Sequence, residues 1–174
     1  DESAELWSIQ AKSFANAMEI RDILEPQSPP GSTIVYRTFG LLFNNFSLNF
    51  LRILSAIIGS LTVIVVYLNS CYFFKEAKLQ LLSTFFFAIF TTYIHYSQEM
   101  RFYSLLILFS SLSIYFYLRF KINNKSILPF FICGIFATWI HNTLILFIFM
   151  GIFLHLIFEE KKITKNTILL SMTY

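Results

Sequence analysis

Long apolar runs separated by short charged segments occupy most of the chain. Residues 48–74, 79–97, 101–120 and 127–158 are rich in Leu, Ile, Val, Phe and Tyr, and another apolar run covers residues 167–174. The first three runs have about the 20 residues that a helix needs to cross a bilayer. One helix over the fourth run would be too long at about 1.5 Å per residue. We therefore predict two helices there, over residues 127–140 and 142–158.

The first 47 residues follow a different pattern. Apolar and charged side chains alternate with a helical period through residues 1–25, which predicts an amphipathic helix at the membrane surface. Pro26 and the turn around Pro29 and Pro30 end this helix. Residues 33–43 form a short aromatic segment, predicted as a re-entrant or interfacial helix. Residues 1–47 are accordingly assigned to a first loop with amphipathic helices, and residues 48–174 to transmembrane helices.

Composition supports a membrane protein. The chain is 56% hydrophobic and 13% charged, with a mean hydropathy of +0.65, and a soluble domain of this length could not bury so much apolar surface. We predict an all-α, polytopic transmembrane bundle, a multi-pass protein of the cell membrane surrounded by membrane lipids. The net charge of +3 gives no indication of nucleic-acid binding. Because the chain begins at Asp1 without Met and ends inside an apolar run, we expect an N-terminal fragment of a longer protein.

The basic residues predict an orientation. If residues 1–47 lie outside the cytoplasm, eight of the 13 Lys and Arg residues fall in three short inner loops and five fall outside. This is the distribution that the positive-inside rule expects. The same orientation places Asp1, Glu2, Arg101 and His141 on the extracytoplasmic side, so the first outer loop and its amphipathic helix share a membrane face with the polar segments.

A polar stretch between two apolar runs is the strongest candidate for a site. His95, Ser97, Gln98, Glu99 and Arg101 follow one another closely there, and such groups are expensive near lipid and usually functional. If a helix begins near Gln98, Arg101 stands in its first turn, where free N–H groups favour an anion, and its guanidinium suits phosphate or carboxylate. Alternatively, Arg101 only pairs with Glu99 or reaches lipid headgroups.

Three further residues are candidates for chemistry. Asp1 and Glu2 form an acidic pair that could supply a general base or hold a divalent cation, or could simply be an exposed pair at a helix N-terminus. His141, beside Asn142, could bind substrate in the same cavity, or could be a polar break between two half-helices. No metal or cofactor requirement is readable, and any divalent cation is expected at Asp1 and Glu2.

Together these motifs resemble a known family. The Asp1-Glu2 pair, the Pro29-Pro30 turn and the string Ser-Gln-Glu-x-Arg-x-Tyr from Ser97 to Tyr103 are similar to those of GT-C fold glycosyltransferases, in the branch of the protein mannosyltransferases and the aminoarabinose transferase. The resemblance implies a GT-C-like helical bundle and a polyprenyl- or dolichyl-phosphate sugar donor. It also implies inverting transfer of a hexose or pentose to a glycan, lipid or protein acceptor at the extracytoplasmic face.

The resemblance carries roles to individual positions. Asp1 matches the catalytic carboxylate and Glu2 its acidic neighbour. The substrate-binding candidates are Tyr96, Gln98, Glu99, Arg101, Tyr103 and His141. One departure concerns the proline turn, because relatives commonly have His-Pro-Pro-Leu where this chain has Ser28, Pro29, Pro30 and Gly31. No histidine is therefore expected to contact substrate there.

Two other function classes remain open at this point. A transporter or flippase of lipid-linked saccharide would also need an arginine near lipid phosphate, although it would not need the acidic pair and commonly shows internal repeats. A structural membrane subunit would tolerate substitution at Gln98, Glu99 and Arg101.

Overall fold

The protein is described by a computed structural model that covers residues 2–26, 29–123 and 125–141. Within these ranges the chain forms helices and no strand, which confirms the predicted all-α class. Asp1, Asn142 and the helices predicted over residues 142–158 and 167–174 lie outside the described residues. The helices are α1 Glu2–Ile9, α2 Phe14–Leu24, α3 Gly31–Phe43, α4 Leu48–Phe73, α5 Ala77–Ile89, α6 Thr91–Gln98, α7 Phe102–Asn123 and α8 Leu128–Ile140.

Helices α4 and α7 are long and apolar enough to cross a membrane. The face of α4 turned toward the bundle carries small and polar residues, whereas its outward face is apolar. The buried face includes Ser55, Gly59, Thr62 and Asn69, and the exposed face is formed by Ile53, Ile57, Leu61, Ile64 and Leu68. This arrangement fits a lipid-facing helix, because lipid offers no hydrogen bonds and helices in bilayers pack through small residues.

The span predicted over residues 79–97 is bent in the structure. The structure divides it at Phe90 into α5 and α6, which meet at an angle of 58°. The bend brings α6 against α4, where the Tyr93 hydroxyl donates a hydrogen bond to the Gly59 carbonyl. A Cβ added to Gly59 would lie 2.7 Å from the Ser97 Cβ, so the approach of the two helices requires glycine. If the bent pair counts as one span, the described residues hold up to three spans.

The helix predicted over residues 1–25 is also divided. Helix α1 ends at Ile9, and α2 starts after Ser13, whose side chain accepts a hydrogen bond from the Asn16 N–H and so caps the new helix. Between them, the Arg37 guanidinium donates to the carbonyls of Ile9 and Ala11 at 2.6 and 2.9 Å. These bonds satisfy the C-terminal end of α1 and fix it to α3.

The hydrophobic core surrounds the polar stretch that the sequence singles out. Met100 and Phe102 are buried together with residues from α1, α3, α4, α7 and α8, namely Ile9, Tyr36, Leu51, Ile58, Leu105, Leu106, Ala137 and Ile140. The segment 99–101 is therefore held by five helices, and the side chains on either side of Met100 start from a fixed backbone.

Candidate functional site

Glu2 joins the first helix to the centre of the bundle. Its carboxylate accepts two hydrogen bonds from the Arg52 guanidinium, at 2.9 Å from Nε and 2.6 Å from the terminal nitrogen. The Met100 N–H donates a third hydrogen bond to the same carboxylate at 2.6 Å. The two-point geometry is the favourable one for an arginine and a carboxylate. Glu2 thus ties α1 to α4 and to the segment between α6 and α7.

These contacts decide what Glu2 can do chemically. The Arg52 hydrogen bonds, opposed by partial burial and aided by the Met100 N–H, hold the pKa of Glu2 below its usual range. Such a carboxylate is a weak base, so the geometry favours an anchoring role over proton transfer. Among residues 2–26, 29–123 and 125–141, no three His, Cys, Asp or Glu side chains come together in a way that fits a metal ion.

The segment 99–101 does not belong to a helix. Gln98 is the last residue of α6 and α7 begins at Phe102, close to the predicted start at residue 101, so the condition that would make Gln98 and Arg101 helical neighbours is not met. Gln98 is exposed at the end of α6 and is not brought toward Arg101 by a shared helical turn. The reason is the short non-helical connection over residues 99–101, in which the Met100 N–H donates its hydrogen bond to the Glu2 carboxylate.

Arg101 lies directly before the first turn of α7. One terminal nitrogen is 3.5 Å from a carboxylate oxygen of Glu25, the residue after α2, whereas Glu99, the alternative partner considered from the sequence, contacts His95. The Nε of Arg101 is buried and has no hydrogen-bond partner in the described part of the chain. Its guanidinium carbon lies 5.4 Å from the Phe102 ring centre and 5.3 Å from that of Tyr103. Arg101 therefore keeps donor capacity for an anion.

The aromatic and acidic candidates flank this arginine. The rings of Tyr96 and Tyr103 stack at 4.2 Å between centres, which joins the end of α6 to the start of α7. Glu99 contacts the His95 ring nitrogen at 3.1 Å. The structure thus brings Tyr96, Tyr103 and Arg101 into one neighbourhood through ring contacts, as the sequence pattern suggests.

A buried tyrosine, Tyr36, holds the backbone of Arg101 in place. The Tyr36 hydroxyl lies 2.6 Å from the Ser55 hydroxyl and 3.3 Å from that of Ser104, and it donates to the Arg101 carbonyl at 3.2 Å. Tyr36 is fully buried. This network connects α3, α4 and α7 and fixes the backbone of Arg101, which positions its side chain.

The last described residue, His141, contacts the first residue of α7. Its ring stacks on Phe102 at 4.4 Å, immediately after α8 ends. A Cβ on Gly31 would lie 2.6 Å from the Trp139 carbonyl oxygen, so the glycine in the proline turn lets α3 start against the end of α8. The departure from the relatives' pattern at this position therefore has a packing reason.

Three important residues escape the sequence-based prediction. Arg52 carries the Glu2 contact, Glu25 pairs with Arg101, and Glu5 is buried beside them. Glu5 lies one helical turn after Glu2, and this spacing places both on one face of α1. That spacing was a usable signal. The contact of Glu2 with Arg52, 50 residues away, cannot be predicted from any local sequence pattern.

Comparison with known proteins identifies the family. The pattern of the dolichyl-phosphate-mannose-protein mannosyltransferase family matches residues 27–174. The chain belongs to this family. Membership in the mannosyltransferase family confirms the resemblance noted from the motifs and makes the protein a membrane glycosyltransferase with a lipid-phosphate-sugar donor. The curated proteins and the solved structures gave no match to the chain.

The extent of the family match divides the site. The segment from Tyr96 to Tyr103 lies inside the matched range, whereas Glu2, Glu5 and Glu25 precede residue 27. The family match therefore covers the segment that carries Arg101, while the acids of α1 and α2 are connected to that segment only by their contacts in the structure.

Proposed function

We propose that this protein is a multi-pass glycosyltransferase that moves a sugar from a polyprenyl-phosphate donor to an acceptor at the extracytoplasmic face of the membrane. The observation that supports it most is Arg101, a guanidinium with a buried, unpartnered Nε at the junction of α6 and α7. A phosphate group offers the oxygens that such a guanidinium binds in pairs. The excess of Lys and Arg residues in the three short loops assigned to the cytoplasm supports placing the site on the extracytoplasmic side.

The transfer is a single displacement. The acceptor hydroxyl oxygen attacks the anomeric carbon of the donor sugar while a carboxylate removes the hydroxyl proton. The bond from that carbon to the phosphate oxygen breaks, and its electron pair leaves with the polyprenyl phosphate. One displacement inverts the configuration at the anomeric carbon.

Asp1 is the proposed base, on the strength of the resemblance, and Arg101 is the proposed stabiliser of the departing phosphate. Asp1 immediately precedes Glu2, whose carboxylate is held by Arg52 and Met100. This contact anchors the residue that follows the proposed base. General base catalysis contributes about a hundred- to ten-thousandfold, and a preorganised charge at the leaving group contributes on the order of a hundred- to a thousandfold.

The remaining candidates have supporting roles in this proposal. Tyr96 and Tyr103 form an aromatic pair beside Arg101, which suits contact with a sugar or an isoprenoid unit. Glu99, Gln98 and His141 are proposed to line the substrate space. The acceptor is a glycan, lipid or protein.

The test uses the full-length protein in membranes and a radiolabelled polyprenyl-phosphate sugar. Asp1→Asn should abolish transfer, and the matched control Asp22→Asn should not, because Asp22 is an exposed acid on α2 that pairs with Arg21. Undiminished transfer by Asp1→Asn would remove the base assignment. Movement of intact donor across vesicles without transfer would instead support a flippase.

A further inference from the structure

Glu5 is a buried acid that the proposed displacement does not use. It is 4% exposed, and neither carboxylate oxygen has a hydrogen-bond partner in the described part of the chain. Burying a polar group without a partner is unfavourable by about 1 to 3 kcal/mol, and more for a charged one. Structures keep such groups rarely, so this carboxyl group is a candidate for contact with a ligand.

The surroundings of Glu5 are those of the arginine site. The charges of Glu25 and Arg101 both act on Glu5, the first raising its pKa and the second lowering it. The Ser32 hydroxyl also favours the charged form without reaching hydrogen-bonding geometry. Burial is the largest influence and raises the pKa of Glu5 to about 7. At neutral pH the group can therefore donate a hydrogen bond as well as accept one.

Two unsatisfied groups of opposite character thus lie in one neighbourhood. Arg101 offers a buried N–H donor, and Glu5 offers a carboxyl group. A glycosyl phosphate carries the complement of both, since its phosphate oxygens accept from a guanidinium and its sugar hydroxyls pair with a carboxyl group. Neither a lipid headgroup phosphate alone nor an apolar chain would satisfy both groups.

We propose that Glu5 is a sugar-recognition residue, whose carboxyl group hydrogen-bonds one hydroxyl of the donor sugar while Arg101 binds the phosphate. This inference rests on the transferase function proposed above. A site built to hydrogen-bond a hydroxyl rejects an analogue that lacks it, because the buried polar group is then left unpaired. Glu5 therefore selects among donor sugars.

The experiment measures kcat/KM for the full-length protein with a panel of polyprenyl-phosphate hexoses and pentoses, then with the monodeoxy analogues of the best donor. The wild type should reject one deoxy analogue by roughly ten- to a hundredfold. Glu5→Leu should reduce that ratio to within about threefold and leave the ratios at the other positions unchanged. Glu5→Gln should restore part of it, because an amide still hydrogen-bonds.

Two outcomes would overturn the inference: a wild type that rejects no deoxy analogue, or a Glu5→Leu protein with the full wild-type ratios. If Glu5→Leu transfers too slowly, competition binding of the same analogues gives the ratios without turnover. Glu19→Leu, an exposed acid on α2, is the matched control and should keep every ratio. Absence of transfer from every donor would overturn the transferase function itself, which separates the two failures.

Discussion

The Arg52 guanidinium donates two hydrogen bonds to the Glu2 carboxylate, with N–O distances of 2.9 and 2.6 Å, although 50 residues separate the two in the chain. The Glu2 side chain is 18% exposed and that of Arg52 is 42% exposed. The pair is thus partly accessible to water, which limits its contribution to stability. Its value lies in the position it gives to α1.

The first prediction concerns this pair. Glu2→Gln and Arg52→Met should each lower the free energy of unfolding by about 1 to 2 kcal/mol. The double variant should lose less than the sum, because each change removes the same contact. Thermal unfolding in detergent measures this. Strictly additive losses would show that the two side chains do not act together.

The second prediction separates phosphate binding from anchoring. Arg101→Ala should weaken binding of a polyprenyl-phosphate sugar by roughly ten- to a hundredfold, because it removes charged hydrogen bonds to the phosphate. Arg52→Ala should weaken it much less, since its guanidinium is engaged by Glu2. Equilibrium binding of a labelled donor gives both values. Equal losses would contradict the role of Arg101.

The third prediction tests the network under the site. Tyr36→Phe removes the hydroxyl shared by Ser55, Ser104 and the Arg101 carbonyl. We expect a loss of about 1 to 3 kcal/mol in unfolding free energy, because buried polar groups lose their partner. The control is Tyr67→Phe in α4, a partly exposed tyrosine outside this network. An unchanged melting temperature for Tyr36→Phe would argue against the network.

The fourth prediction concerns the contact of α4 with α6. Gly59→Ala places a methyl group 2.7 Å from the Ser97 Cβ, so the helices must separate. Overpacking of this kind destabilises by about 1 to 3 kcal/mol and should also lower transfer, because α6 leads into the segment that holds Arg101. Ser60→Ala on the exposed side of α4 should be nearly neutral in both assays.

The fifth prediction is a pH dependence that Glu5 creates. Its pKa is raised from 4.5 to about 7, so the folded protein binds a proton there more tightly than the unfolded chain. Stability from this group is full below the unfolded value and falls as the pH rises from about 4.5 to 7, by about 3 kcal/mol in all. In Glu5→Gln, the free energy of unfolding should depend less on pH between about pH 5 and pH 8 than in the wild type. The charges of Glu25 and Arg101 also act on Glu5. Glu25→Gln, which keeps the Glu5 carboxyl group, is therefore the comparison variant in the same pH series.

The sequence predicts the helical bundle well because membrane helices follow from local composition. The boundaries of α4, α7 and α8 agree with the apolar runs to within a few residues. The bend at Phe90 was missed because no Pro or Gly, the usual sequence signals of a helix break, stands near it. The bend arises from the fit of α6 to Gly59, a tertiary contact that no local pattern encodes.

For the site, the motif indicates a segment whose side chains the structure brings together, but it does not indicate their partners on other helices. Arg101, Tyr96 and Tyr103 lie together as expected, because they are close in sequence. The acids that face them lie on α1 and directly after α2, and the spacing of Glu2 and Glu5 places both on one face of α1 without showing that this face will be buried. Glu5 becomes interior only when α3 packs beside it.

The distance in sequence between Glu2 and Met100 sets an order of events during synthesis. Glu2 can meet Arg52 once the 50 residues that follow it have been made, but its third hydrogen bond waits for Met100, 98 residues downstream. At about 5 to 20 residues per second, synthesis of the 98 residues from Glu2 to Met100 takes roughly 5 to 20 s. Helix α1 therefore stays incompletely bonded to the bundle until the segment after α6 is made.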